Sequence, residues 1–193
     1  MYRTASQSER KLQPTGERTR LLAIGCGNAL AGDDGVGLEI VRRLEQCGDC
    51  ECQLQAMPQA GVELLESFEK AETILFIDAV SSGAPPGTLY LARLPCPGLE
   101  SRALGSVSSH GWGLTEVLAL DQALGRQAPR LALLGVEIAD VSPSPRLSPA
   151  VEKAARVVVE EFAHLEAMLM KTEGDSFCSF RRFLPGETSF PGG

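Results

Sequence analysis

The chain has 193 residues, 44% of them hydrophobic, and a formal net charge of −7, values that suit one domain with a substantial core. Its Lys and Arg residues form no cluster, which argues against a nucleic-acid footprint or an anionic membrane surface. No apolar run reaches the ~18–20 residues that span a bilayer, and the basic, polar start lacks the apolar middle of a signal peptide, so a cytoplasmic protein is expected.

Residues 1–19 read as a disordered leader. The first strand is expected at Arg20–Gly25, where an apolar run stops at a glycine cluster. Asp33 and Asp34 follow, and Gly35 and Gly37 open a helix expected over Gly37–Gln46. Strand, tight loop and helix with paired acids at the turn is where open α/β sheets carry chemistry. The loop fails the dinucleotide fingerprint, because Leu30 stands where the third glycine belongs. It also fails the phosphate-loop pattern, having no Gly-Lys-Ser/Thr. Two acids near the helix start would repel a phosphate, so the loop suits a cation or an electrophile.

Cys47, Cys50 and Cys52 come next in QCGDCECQ. A zinc site usually needs four ligands, and no second close pair follows. They read as reduced thiols at a helix-to-strand junction. A strand at Glu51–Gln55 and a helix at Ala60–Phe68 precede the apolar strand Thr73–Ile77, which ends at Asp78. Pro85-Pro86-Gly87 marks a turn before a strand at Thr88–Leu94. The connection from Ile77 is too short for a crossover, so this strand is expected to run antiparallel. A helix at Gly113–Leu124, a strand at Arg130–Val136 and a helix at Pro149–Lys171 complete the order. Ser148 can cap the last helix, and Pro149 suits its first turn. Residues 172–193 read as a flexible tail. The alternation implies a single three-layer α/β domain over residues 20–171, with a mostly parallel, twisted sheet of about five strands and helices on both faces.

Asp78, at the carboxyl end of a buried strand, faces the crevice or closes the strand as a turn residue. Of two histidines, His164 lies within the last helix. His110 sits in SSHGWG just before a helix-compatible run, where the helix dipole keeps the ring neutral and able to ligate. Asp34, Asp78 and His110 can share one rim of the sheet. Two carboxylates and an imidazole make a mixed site for a borderline divalent metal such as nickel, zinc or manganese, with a position left open for water or substrate.

At these residues the chain resembles the nickel-iron hydrogenase maturation endopeptidases. The resemblance runs from about Arg20 to about Leu169. It rests on Gly25-x-Gly27-Asn28-x-Leu30-x-x-Asp33-Asp34-Gly35-x-Gly37, then Gln59-Ala60-Gly61-x-Glu63-Leu64-Leu65, then Ile77-Asp78-Ala79 with Pro86-Gly87-Thr88. Ser109-His110 before Gly113-Leu114, Leu134-Gly135-Val136-Glu137 and Leu147-Ser148-Pro149-x-Val151 complete it. The ordered set is specific, although no single mark is. The chain departs from the family where Asp34 replaces a frequent Glu, where Ala56-Met57-Pro58 replaces an Asp-Gly-Gly-type run, and where Gly111-Trp112 follows the His in place of Gln.

The resemblance implies an endopeptidase that removes the C-terminal extension of a hydrogenase large-subunit precursor after nickel insertion. It implies Asp34, Asp78 and His110 as the metal-contacting residues, with the nickel supplied by the precursor and no organic cofactor. The metal would be sensed, or would polarise the scissile carbonyl or activate water. Alternatively an Asp acts as general base, with Asp33 the obvious candidate beside Asp34 and Asp78. Gly25, Gly27, Asn28, Gly35 and Gly37 are expected to shape the loop. A non-catalytic nickel-delivery or scaffold protein and a nucleotide-binding module are the competing functions.

Overall fold

A computed structural model describes residues 18–58, 63–94, 114–125, 129–171 and 181–183. Its strands are β1 (Thr19–Cys26), β2 (Gln53–Met57), β3 (Ala71–Val80), β4 (Leu89–Leu94), β5 (Arg130–Glu137) and β6 (Arg181–Phe183). They form one sheet in the order β2-β1-β3-β5-β4-β6. The pairs among β2, β1, β3 and β5 are parallel, and β4 runs antiparallel to β5, as the short connection before it requires. A sixth strand was not foreseen: β6 lies within the expected tail and pairs antiparallel with β4.

The helices are α1 (Val36–Cys47), α2 (Leu64–Lys70), α3 (Leu114–Ala123), α4 (Pro149–Glu160) and α5 (Phe162–Lys171). Strand side chains alternate between the two faces. Leu21, Ala23, Leu75, Ile77, Leu134 and Val136 pack with buried residues of α1, α4 and α5. Leu22, Ile24, Ile74, Phe76 and Leu133 pack with α2 and Val117 of α3 on the opposite face. The buried runs of β1, β3 and β5 are nearly continuous because both faces are covered. In α1, Val36, Ile40, Val41 and Leu44 bury one stripe, and Gly48 ends the helix at φ +69, its N–H bonded to the Leu44 carbonyl at 3.1 Å.

The single helix expected over Pro149–Lys171 is two. Glu161, at φ −99 and ψ 6, interrupts it, yet Val151, Ala155, Val158, Phe162, Leu165 and Leu169 all stay in the core. Among the described residues, no helix is long and apolar enough to cross a membrane.

Candidate active site

The chain leaves β1 for β2 on one side and reaches β3 on the other. The winding reverses between β1 and β3, and such a reversal opens a crevice at the carboxyl ends of the strands. Asp34 follows β1 and Asp78 lies near the end of β3.

The turn that brings Asp34 there has little room for side chains. Gly37, in the first turn of α1, lies so close to the strand ends that a Cβ would land on the Ile77 carbonyl oxygen. At Gly25 an added Cβ would strike the Gly37 carbonyl, and Gly35 packs against Ala29. Gly27 has φ +123, and a side chain there would strike the Asp34 carbonyl. Asn28 fixes the rest: its N–H donates to Asp34 Oδ2 at 3.0 Å, and its Oδ1 accepts from the Leu30 N–H at 3.0 Å.

Asp78 is half-buried and accepts the Ala79 N–H at 2.8 Å. The ladder pairs Gly25 with Ile77, which sets Cys26 beside Asp78, and pairs Asp78 with Gly135. Burial, with the nearby Asp34 charge adding to it, pushes the Asp78 carboxyl up to about 8, against the opposing pull of the Ala79 hydrogen bond. Near neutral pH this draws Asp78 toward its protonated form. Burial and the Asp78 charge push the Cys26 thiol far above its usual range. A thiol so held is no thiolate nucleophile.

Asp33, the neighbouring acid, points elsewhere and is fully buried. Its Oδ2 accepts the N–H groups of Ala139 at 2.9 Å and Asp140 at 3.1 Å and the Ser148 hydroxyl at 2.9 Å, while Oδ1 accepts the Ser148 N–H at 2.6 Å. Ser148 occupies the cap position of α4, but its hydroxyl is spent on Asp33 rather than on the helix. With four donors on two oxygens, Asp33 is placed to hold the 139–148 loop rather than to take a proton from water.

Glu137, at the end of the apolar strand β5, has a structural role that its motif alone does not reveal. It is buried, accepts the Ser82 hydroxyl and N–H, the Gly83 N–H and the Tyr90 hydroxyl, and so anchors the turn after β3. Only its place at the end of an apolar strand signalled this. Among the described residues, no three His, Cys, Asp or Glu side chains meet closely enough to hold a metal. Of the three residues expected to contact a metal, Asp34 and Asp78 lie at the crevice, and His110 lies outside the described residues, as do Gln59-Ala60-Gly61 and Gly111-Trp112. Cys47, Cys50 and Cys52 are free thiols, and His164 is exposed on α5.

The family model of the hydrogenase maturation proteases matches residues 56–164. The hydrogenase 2 maturation protease of Escherichia coli K12 is 31% identical, over 74% of this chain and 87% of its own length. The hydrogenase expression/formation protein HupD of Thiocapsa roseopersicina is also 31% identical, over 72% of this chain and 68% of its own. Among solved structures, the hydrogenase maturating endopeptidase HybD of E. coli superposes with a TM-score of 0.63 at 26% identity, covering 88% of this chain and all of its own. The [NiFe] hydrogenase maturation protease HybD of Thermococcus kodakarensis gives 0.61 at 25% identity, over 79% of this chain and all of its own. A family model matched over more than half of the chain, relatives above 30% identity and a shared fold agree: the chain belongs to the hydrogenase maturation protease family and is a peptidase.

Proposed function

We propose that this peptidase removes the C-terminal extension of a nickel-loaded [NiFe]-hydrogenase large-subunit precursor in the cytoplasm. The observation that carries the reading is the placement of Asp34, in the turn after β1, and Asp78, near the end of β3, at the same β1–β3 reversal. Two carboxylates at one crevice favour a proton or a cation there. In the free enzyme the proton on Asp78 serves; a divalent cation carried in by the substrate displaces it. Nickel accepts oxygen and nitrogen donors, and His110 is the third donor in this proposal. Cleavage then waits for a loaded precursor. Asp34 and Asp78 orient the metal-bearing end of the substrate, and a carboxylate oxygen turned from the metal can take the proton of the attacking water. Asp33 is given a positioning role, through the bonds that hold its own loop to the 139–148 loop.

The test is cleavage of nickel-loaded and nickel-free precursor, read as a size shift on a denaturing gel. Wild type should cut only the loaded form. Asp34→Asn, Asp78→Asn and His110→Ala should each slow cutting on the order of a hundredfold or more. Rapid cutting of nickel-free precursor would exclude metal sensing, and near-native rates in all three variants would remove the site.

A further inference from the structure

In the 28–35 loop Asn28 holds the Asp34 carboxylate of the acidic pair, whereas Ala29 and Gly35 line a groove of about 610 Å³ bounded by α1, the start of α4 and residues 145–147. That volume holds a small ligand or a few residues of extended chain, and no folded body. Leu38, Pro145 and Leu147 give it apolar walls.

Its charges are unevenly used. Arg42 donates to both oxygens of Glu39, each at 2.7 Å. Arg43 joins Glu39 to Glu152, again at 2.7 Å each. The Arg42 hydrogen bond, foremost, draws the Glu39 carboxyl down to about 2, so these pairs are closed on each other. Arg146 is the remaining cation, exposed and without an ion-pair partner among the described residues. Its backbone is held: the Ser144 hydroxyl accepts the Arg146 backbone N–H at 3.0 Å, and the Ser144 backbone bonds both Gly32 and Leu30 of the loop. On a chain of net charge −7, an unpaired guanidinium beside the site is where an acidic partner is received.

We propose that the groove takes the C-terminal extension of the uncleaved precursor in extended form, an acidic side chain of it resting on Arg146 and an apolar one against Leu38 and Leu147. This deepens the function proposed above and rests on it. The metal-bearing body of the precursor must reach Asp34 and Asp78 at the crevice. The segment that carries no metal is the part slender enough for the groove.

Steady-state cleavage of nickel-loaded precursor by Arg146→Glu tests this. KM should rise roughly tenfold with kcat within about twofold, because the residue contacts substrate away from the reacting atoms. The defect should shrink at about 0.5 M salt. A precursor whose extension carries Lys in place of its acidic residues should be cut better by Arg146→Glu than by wild type. An unchanged KM, a loss in kcat alone, or no rescue by the charge swap would overturn the groove while leaving the function standing. Failure of wild type to cut the precursor would overturn the function, and this inference with it.

Discussion

Near neutral pH the folded chain favours a proton on Asp78 that the unfolded chain gives up, because burial and the Asp34 charge both penalise the carboxylate. The sign follows from proton binding. Between about pH 4 and pH 8 the native state binds more protons than the unfolded one, so stability falls as pH rises. Asp78→Asn keeps the shape of the protonated acid and removes its titration. Wild type and variant should be nearly equal near pH 4. By pH 8 the variant should be the more stable, by on the order of 1–3 kcal/mol, while losing peptidase activity. Urea unfolding across pH 4–8 measures this, and a gap that stays constant with pH would show that Asp78 does not titrate in that window. The position of Asp78 was legible in the sequence, since an acid ending an apolar strand has few other places to go. Its upward shift was not, because it comes first from burial and then from the Asp34 charge, and both arise only once the chain folds.

Between elements, the 28–35 loop and the 139–148 loop behave as one piece. The Asp33 N–H donates to the Asp140 carbonyl at 2.9 Å, Gly32 to Ser144 at 2.8 Å, and Ala31 and Ser144 form a short bridge. Asp33 supplies the charged end of this contact. Asp33→Ala would remove the buried acceptor of four hydrogen bonds from Ala139, Asp140 and Ser148, each worth about 0.5–1.5 kcal/mol, or more because the acceptor is charged. A loss of about 3 kcal/mol is expected, or roughly 6–12 °C in Tm for a chain of this size. Asp34→Asn, which keeps an acceptor for Asn28, should stay within about 1 kcal/mol of wild type. Thermal melts of the two variants, adjacent in sequence, separate the two roles; equal melting points would refute the division. The sequence shows the two acids side by side and cannot show this division, because the partners of Asp33 lie more than a hundred residues away. The strands and helices were legible where apolar runs or helical spacing were long. The break at Glu161 was not, since the buried positions keep their spacing across it. Nor was β6, whose three residues carry too little pattern.

At the scale of the whole molecule, both proposed ligands stand on a sheet held by two apolar layers rather than by a metal. β1, β3 and β5 bury Ile24, Leu75, Ile77 and Leu134 completely, and hydrophobic burial of that kind closes a domain on its own. A structural zinc site would contribute folding energy outright, and removing the ion would unfold the protein. Here the proposed metal arrives with the substrate, so the enzyme's fold owes it nothing. Dialysis against EDTA should leave Tm within about 2 °C of its starting value, whereas excess nickel should raise it by mass action on the native state, which gains up to about 3 kcal/mol of stability at a hundredfold excess over Kd. Asp34→Asn and Asp78→Asn should lose that rise, since each removes one of two proposed donors, one on the turn after β1 and one on β3. Scanning calorimetry with chelator and with nickel measures both effects. A large fall in Tm with EDTA would make the ion a resident part of the fold. A nickel-dependent rise that survives in both variants would put the ion somewhere other than the β1–β3 reversal.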